Sequence, residues 1–311
     1  PVVHLAGFGF EDTHSVANGI TWGPDGWLYG AQGSTVSCRV TLAGIDPPGA
    51  PGVHFEGCMV WRYHPESREF EIFAEGGGNV FGLEFDADGR LFSGHNGGGT
   101  RGFHYVQGGL YLKQGKSPGK FGPPDNPFAF GELPMMPGGS IPRFSHNVIA
   151  VNGSAMPDAW QGRLLGADPL HRHLVLSERS VRGASFTTRD IGFPVKNSDV
   201  AFRPVYMANA PDGSLLIADF YERYIAHGQH YQSQIDPTSG RVYRLRAKAK
   251  PLVADTNLSA KTDEQLIGLL AHPNKWHRQT AVRLLGQRAI AVTNAKLRKQ
   301  IKAETGRAAL H

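Results

Sequence analysis

Apolar and polar positions alternate in short runs along most of the chain, and the runs are separated by turn residues. Asn18-Gly-Ile-Thr-Trp-Gly-Pro-Asp-Gly-Trp-Leu-Tyr-Gly-Ala-Gln-Gly33 shows the pattern most clearly. Ile20 and Trp22 alternate with polar or small neighbours, as a half-buried strand requires. Gly23-Pro-Asp-Gly26 is turn chemistry, because Pro presets φ, Asp caps the turn and Gly accepts positive φ. Trp27-Leu-Tyr29 then begins a return strand. The same hairpin recurs as Val80-Phe-Gly-Leu-Glu-Phe-Asp-Ala-Asp-Gly-Arg-Leu-Phe92 and within Val205–Asp219.

The turn aspartates Asp25, Asp88 and Asp212 are 63 and 124 residues apart, so a degenerate copy is expected between the last two. Val148-Ile-Ala-Val151 followed by Met156–Leu165 fits that place with a longer turn. A hairpin repeated at a long fixed period predicts an array of sheets. With four-stranded units, that array is a β-propeller. Met59–His64 and Glu69–Phe73 alternate around Pro65–Arg68 and are expected as the outer two strands of the first unit, while 34–57 reads as a Gly/Pro-rich loop. Gly240–Leu245 reads as the strand closing the last unit.

The expected fold class is therefore all-β: a partial propeller of about four blades over residues 1–245, followed by a short α-helical segment. Residues 246–261 read as a linker and 262–311 as the start of a HEAT-like helical region. Thr262-Asp-Glu-Gln265 is a capping box that opens a helix over 263–271. His272-Pro-Asn274 interrupts it, a second helix follows over 276–287, and a third over roughly 292–304. The helix pair is expected to rest on the propeller or on a missing neighbour, with Trp276 as its anchor.

Composition adjusts this picture in three places. Forty Gly and 21 Pro in 311 residues suit a turn-dense β protein. The net charge of +5 is divided, with 15 Lys and Arg against 4 Asp and Glu after residue 240, and 17 against 23 before it. A basic helical tail beside an acidic β part reads either as solvated helix faces docked on the acidic part or as a nucleic-acid surface. No recognised nucleic-acid motif supports the second, and no apolar run approaches a membrane span. Cys38 and Cys58 are the only cysteines. They fit either a disulfide in an oxidising compartment or two buried thiols.

In a propeller, the residues before each innermost strand meet around one mouth. Those positions are His14, Asn18, Asn79, His146, Asn147, Arg203 and Tyr206. One reading is a polar ligand site at the channel mouth, and the other is that Asn and His satisfy backbone groups at strand ends. His14 is the candidate general base, with Asp12 to orient it. Asp219 ends a core strand and either caps the turn after it or contacts Ca²⁺ or a cofactor. The insert 94–145, with His95, His104 and Tyr105, reads as an ordered lid. His227 and His230 lack a third metal ligand in sequence.

Several stretches carry a family resemblance. They are Thr13–Gly33, Val60-Trp-Arg-Tyr-His-Pro65, Glu75-Gly-Gly-Gly-Asn-Val-Phe-Gly82 and His227-Gly-Gln-His-Tyr-Gln-Ser-Gln-Ile235. Together they resemble the propeller of planctomycete-type membrane-bound dehydrogenase proteins, which is similar to the soluble quinoprotein glucose/sorbosone dehydrogenases. The resemblance covers nearly all of residues 1–290. It implies a six-bladed propeller whose early blades precede Pro1, and oxidation of a sugar or other alcohol. It also implies pyrroloquinoline quinone and Ca²⁺ as cofactors. The implied location is periplasmic or extracytoplasmic, with any membrane association belonging to a longer protein. Electrons would pass to a c-type haem domain whose CxxCH motif lies beyond this chain. In that pattern a His before a Gly-Pro-Asp-Gly hairpin is the base, and His14 matches it. The Asp that usually precedes this His is Thr13 in this sequence. The alternative from a different class is a non-catalytic propeller that binds carbohydrate or protein.

Overall fold

The computed structural model describes residues 1–12, 14–95, 102–111, 129–140, 147–223, 236–288, 295–299 and 302. Strands dominate and helices are few. The repeated hairpins form as their alternation and turns require, and each begins an antiparallel sheet. The first sheet runs Asn18–Trp22, Leu28–Gln32, Met59–His64 and Glu69–Glu75, each strand paired with the next. The second runs Leu83–Phe85, Leu91–Ser93 and Phe103–Tyr105. The third runs Val148–Ala150, Leu164–Asp168, His173–Arg182 and Ser185–Lys196, which places the degenerate copy where the spacing puts it. The fourth runs Pro204–Asn209, Leu215–Asp219 and Arg241–Leu245.

The first strands of these sheets stand side by side in chain order, and small residues allow it. A Cβ on Gly19 would lie 2.9 Å from Gly82 Cα, and one on Gly82 would lie 2.4 Å from Asn147 Nδ2. Both glycines also have positive φ, so a side chain is refused twice over. The strand starts thus converge at one end, termed the entry end. The hairpin turns lie at the other. Between the sheets the core is apolar, with Leu83, Leu91, Phe103 and Tyr105 in one cluster and Ile149, Leu165, Met207 and Leu215 in another.

Two expectations need correcting. Residues 34–57 are not only loop, because Ser37–Leu42 and Val53–Glu56 pair as a hairpin, and Leu5–Ala6 adds a third strand. Cys38, Val40 and Phe55 turn inward and bury that small sheet on Trp61 and Tyr63. The described part of the insert is not a separate lid. Phe103-His-Tyr105 is the third strand of the second sheet, and its apolar neighbours bury it. Gly109–Tyr111 and Phe130–Leu133 extend the first sheet in parallel. Both cysteines are buried and neither forms a disulfide.

The helical segment covers the turn end. Thr262 caps helix Asp263–Gly268 through the expected box, a 3₁₀ turn follows at Leu269–Ala271, and helix Lys275–Arg288 comes after the Pro273 break. Residues 295–299 are helical as well. Helix Lys275–Arg288 and the residue before it touch the turn end of each of the four hairpin sheets. Arg283 lies over Trp22, Lys275 Nζ donates to Phe85 O, Ser154 N donates to Asn274 Oδ1 at 2.6 Å, and His277 Nε2 donates to Pro211 O at 2.9 Å. The segment 246–261 is tied down too, with Ala247 N on Ala155 O and Val253 N on Asp212 O. Trp276 is not the anchor. It is half-buried and packs against the helical cluster of Leu258, Leu266 and Leu270, while polar groups make the attachment.

Candidate functional site

Asp12 shapes the approach to the first strand. Its Oδ1 accepts the His14 backbone N–H at 2.9 Å, an Asx turn, and its main-chain oxygen accepts Ser15 N at 3.0 Å. The turn brings the His14 ring back over the carboxylate, with Nδ1 3.5 Å from Asp12 Oδ1. The His14 side chain is 41% exposed. Thr35 Oγ1 donates to the other Asp12 oxygen, so the carboxylate is held on both sides. A carboxylate beside Nδ1 favours the proton there and leaves Nε2 as the acceptor. Asp12 thus stands beside the His14 ring although Thr13 separates the two in sequence.

The asparagines of the mouth hold backbone. Asn79 Oδ1 accepts Ser34 N at 3.1 Å and Ser15 Oγ at 3.2 Å, and its Nδ2 donates to His14 O at 3.1 Å. Asn18 donates to Val16 O and Val80 O and accepts Gly82 N at 2.9 Å. Asn147 is buried and accepts Met207 N at 2.7 Å. Each amide bridges a first strand, or the approach to it, to a neighbour about sixty residues away. The second of the two readings of these positions, satisfaction of backbone groups, is what the geometry displays.

Arg203 is also engaged internally. It is buried, and its guanidinium donates to Glu222 O, Pro169 O and Arg223 O at 2.7–2.8 Å, clamping the third sheet to the fourth. Asp219 Oδ1 accepts Arg203 N at 2.8 Å and Tyr221 N at 2.9 Å. That is the capping role, and Asp219 belongs to no metal-capable group among the described residues. Tyr206 is 39% exposed, and its hydroxyl is pushed up by desolvation with the charge of Glu84 adding. His146, His227 and His230 lie outside the described residues.

His95, His104 and Tyr105 are buried rather than poised over the mouth. Desolvation lowers His95 to about 4. His104 stacks on Phe92 and meets Phe186 edge-on, and burial, with Arg90 adding, lowers it as well. Both imidazoles are neutral parts of the core near pH 7.

Two groups escaped the sequence reading. Glu84 and Lys275 form a buried ion pair joining the second sheet to the helical segment. Asp168, His171 and His173 form a cluster at the entry end of the third sheet. The signal for the cluster was present as Asp-x-x-His-x-His directly after an apolar strand. Burial raises the Asp168 carboxyl, but His173 and His171 outweigh it and hold it below its usual range.

A family model described as "Domain of unknown function (DUF7133)" matches residues 2–249. The chain belongs to this family. No curated protein matches the sequence. Among solved structures, the chain is similar to a "putative oxidoreductase (glucose dehydrogenase)" from Thermus thermophilus. The identity is 20%, the TM-score 0.45, and 72% of this chain and 63% of that one are covered. It is also similar to the PQQ-bound aldose sugar dehydrogenase of Streptomyces coelicolor, at 16% identity and TM-score 0.43, with coverage of 74% and 62%. A third is the soluble aldose sugar dehydrogenase of Escherichia coli in its apo form, at 16% identity and TM-score 0.39, covering 64% and 59%. The chain thus spans less than two thirds of each of these proteins.

Proposed function

We propose that this chain is the β-propeller part of an oxidoreductase acting on a sugar or other alcohol, of the planctomycete-type membrane-bound dehydrogenase class, with His14 as general base. The observation that carries this reading is the Asp12–His14 pair, half-exposed at the entry end while the helical segment occupies the opposite end. His14 Nε2 would take the hydroxyl proton of the substrate, while the hydride from the same carbon would have to go to a bound two-electron acceptor. Asp12 keeps the ring in the accepting tautomer and stabilises the imidazolium that forms. The longer protein would work outside the cytoplasm and pass electrons to a c-type haem domain.

Pyrroloquinoline quinone supplies a two-electron acceptor when bound, and its carboxylates need cationic or N–H donors. The residues expected to hold it do not fit that task. Arg203 is saturated by main-chain oxygens, and Asn18, Asn79 and Asn147 are hydrogen-bonded to backbone. Asp219 likewise turns its carboxylate to N–H groups, an arrangement unlike a Ca²⁺ ligand set. The quinone and Ca²⁺ therefore have no assigned seat among the described residues.

The same saturation of the rim favours a second reading, a non-catalytic propeller that presents a carbohydrate or protein ligand. Dye-linked oxidation of aldoses by the full chain, with and without added quinone and Ca²⁺, separates the two. The enzyme reading expects turnover that His14→Ala lowers by about 10²–10⁴-fold. Sugar binding without turnover, or turnover indifferent to His14→Ala, leaves the binding module.

A further inference from the structure

The cluster at the entry end of the third sheet has the geometry of a cation site. Strand Leu164–Asp168 ends on a fully buried aspartate. Asp168 Oδ1 accepts Leu170 N and His171 N, both at 3.1 Å, which fixes the carboxylate and turns Oδ2 outward. The chain then doubles back through Arg172, whose φ of 61° is left-handed. That turn places the imidazoles of His171 and His173 on one side, stacked at 5.7 Å with planes 15° apart.

His171 Nδ1 lies 2.8 Å from Asp168 Oδ2, and His173 Nε2 lies 3.3 Å from the same oxygen. The three ligand atoms all fall within 4.8 Å of one another. Ligands held at about 2.0–2.1 Å from a zinc ion are separated by roughly 3 Å, so the two short edges match ligands of one ion. His173 Nε2 is buried and faces that same Asp168 oxygen, so both imidazoles converge on one carboxylate.

We propose that Asp168, His171 and His173 bind a divalent transition cation, Zn²⁺ being the best match. The donor set selects the class. One carboxylate oxygen and two imidazoles are borderline donors, and a hard ion such as Ca²⁺ takes oxygen ligands that this set does not supply. The His171 side chain is 46% exposed, so the fourth position faces solvent and takes water or a ligand oxygen. Binding at His171 Nδ1 takes the ring in its Nε2–H tautomer, the proton moving from Nδ1 to the exposed Nε2 through solvent; no bond to carbon changes and no electrons move. The site stands apart from the Asp12–His14 pair and does not depend on its function.

Calorimetric titration of the full chain with Zn²⁺, and visible absorption on adding Co²⁺, test the assignment. The expected result is one equivalent bound, with a Co²⁺ spectrum of low coordination number. His171→Ala and His173→Gln should each weaken binding by about 100-fold or more, since even loss of an outer-shell partner reaches that range. His14→Ala and His64→Ala should leave it unchanged. His171 is half-exposed, so His171→Ala is expected to fold and decides the matter even where His173→Gln does not. Absence of stoichiometric binding to the native chain, or binding that His171→Ala does not weaken, overturns the proposal.

Discussion

The two ends of the sheets solve the same problem differently. At both, the first strands of four sheets come together and leave polar backbone groups with no ladder partner. The entry end meets them with side chains of the sheets themselves: Asn18, Asn79, Asn147 and Arg203 each reach a neighbouring sheet. The turn end meets them with an added element, helix Lys275–Arg288, whose first residues insert Lys275 against Glu84 and Phe85. The entry end is therefore closed between the sheets but open above, and His14 remains exposed there. The turn end is covered by the helical segment, with clefts left beside Trp22 and Arg283 and beside Asp88, Asn152 and Asn274. A buried, desolvated ion pair loses much when one partner is removed, whereas the half-exposed His14 ring stays within reach of a solute.

The largest expected effect is on the helical cover. Lys275→Ala leaves Glu84 buried without its cation, and breaking a buried pair from one side costs about 3–5 kcal/mol. Burial already raises the Glu84 carboxyl despite Lys275 and Asn209. Removing the ammonium should push it further, so that it takes up a proton on folding. Urea denaturation should show the loss, and Lys275→Met combined with Glu84→Gln should recover most of it. A double variant no more stable than Lys275→Ala would show that the pair is not what holds the helix down.

Next in size is an effect of pH on the second sheet. His95 titrates near 4 in the fold against 6.5 when free, because burial disfavours its charged form. A group depressed in this way contributes stability above its unfolded value and loses it as pH falls toward the folded one. The contribution should thus fade between about pH 6.5 and 4, by up to about 3 kcal/mol. His104 acts in the same direction. His95→Asn should flatten the stability profile across that window. An unchanged slope would place the acid sensitivity elsewhere.

Much of the sheet architecture was legible because it is local. The turn aspartates Asp25, Asp88 and Asp212 each lie within a few residues of the strands they join, and even the stretched copy at 148–165 kept its spacing. The helix start at Thr262 was local too. What escaped was decided across long separations. Glu84 and Lys275 are 191 residues apart, and neither stands out from solvated surface charge in the sequence. The amides at 18 and 147 read as ligand contacts because their backbone partners lie about sixty residues on. His104 looked like a lid residue because its loop is long. Two-residue alternation with Phe103 and Tyr105 was the better guide. Of the candidate site, the pairing of Asp12 with His14 was legible, and the fate of Arg203 was not.

A smaller effect sharpens the account of the entry end. Asn147→Ala strips the partner from the buried Met207 N–H and should cost about 1–3 kcal/mol. Asn18→Ala removes bonds at a half-buried position, where water can replace part of the loss, and should cost less. Thermal melts of the two variants check the order. In the oxidation assay both should keep a normal Km once folded, since neither amide faces a ligand. A large rise in Km for Asn147→Ala would return that residue to the binding set.

The smallest expected effect comes from the far end of the covering helix. Arg283 lies 5.7 Å from the Trp22 ring centroid, at the edge of the range in which a cation is attracted to an aromatic face. It lines a shallow cleft between the helix and the turn of the first sheet, with Pro24, His64 and Glu66 on the other wall. A water-accessible contact of this kind contributes about 0.5–1 kcal/mol. Arg283→Gln should therefore lower the melting temperature by little, while Lys275→Ala on the same helix lowers it far more. If the two losses were equal, the helix would be held evenly along its length and the buried pair would lose its special standing. If Arg283→Gln had no effect at all, the first sheet would be joined to the helix only through its neighbours. Amide exchange at Trp22 and Leu28 distinguishes these outcomes. Protection there should fall in Lys275→Ala, where the whole helix loosens, and stay near native in Arg283→Gln.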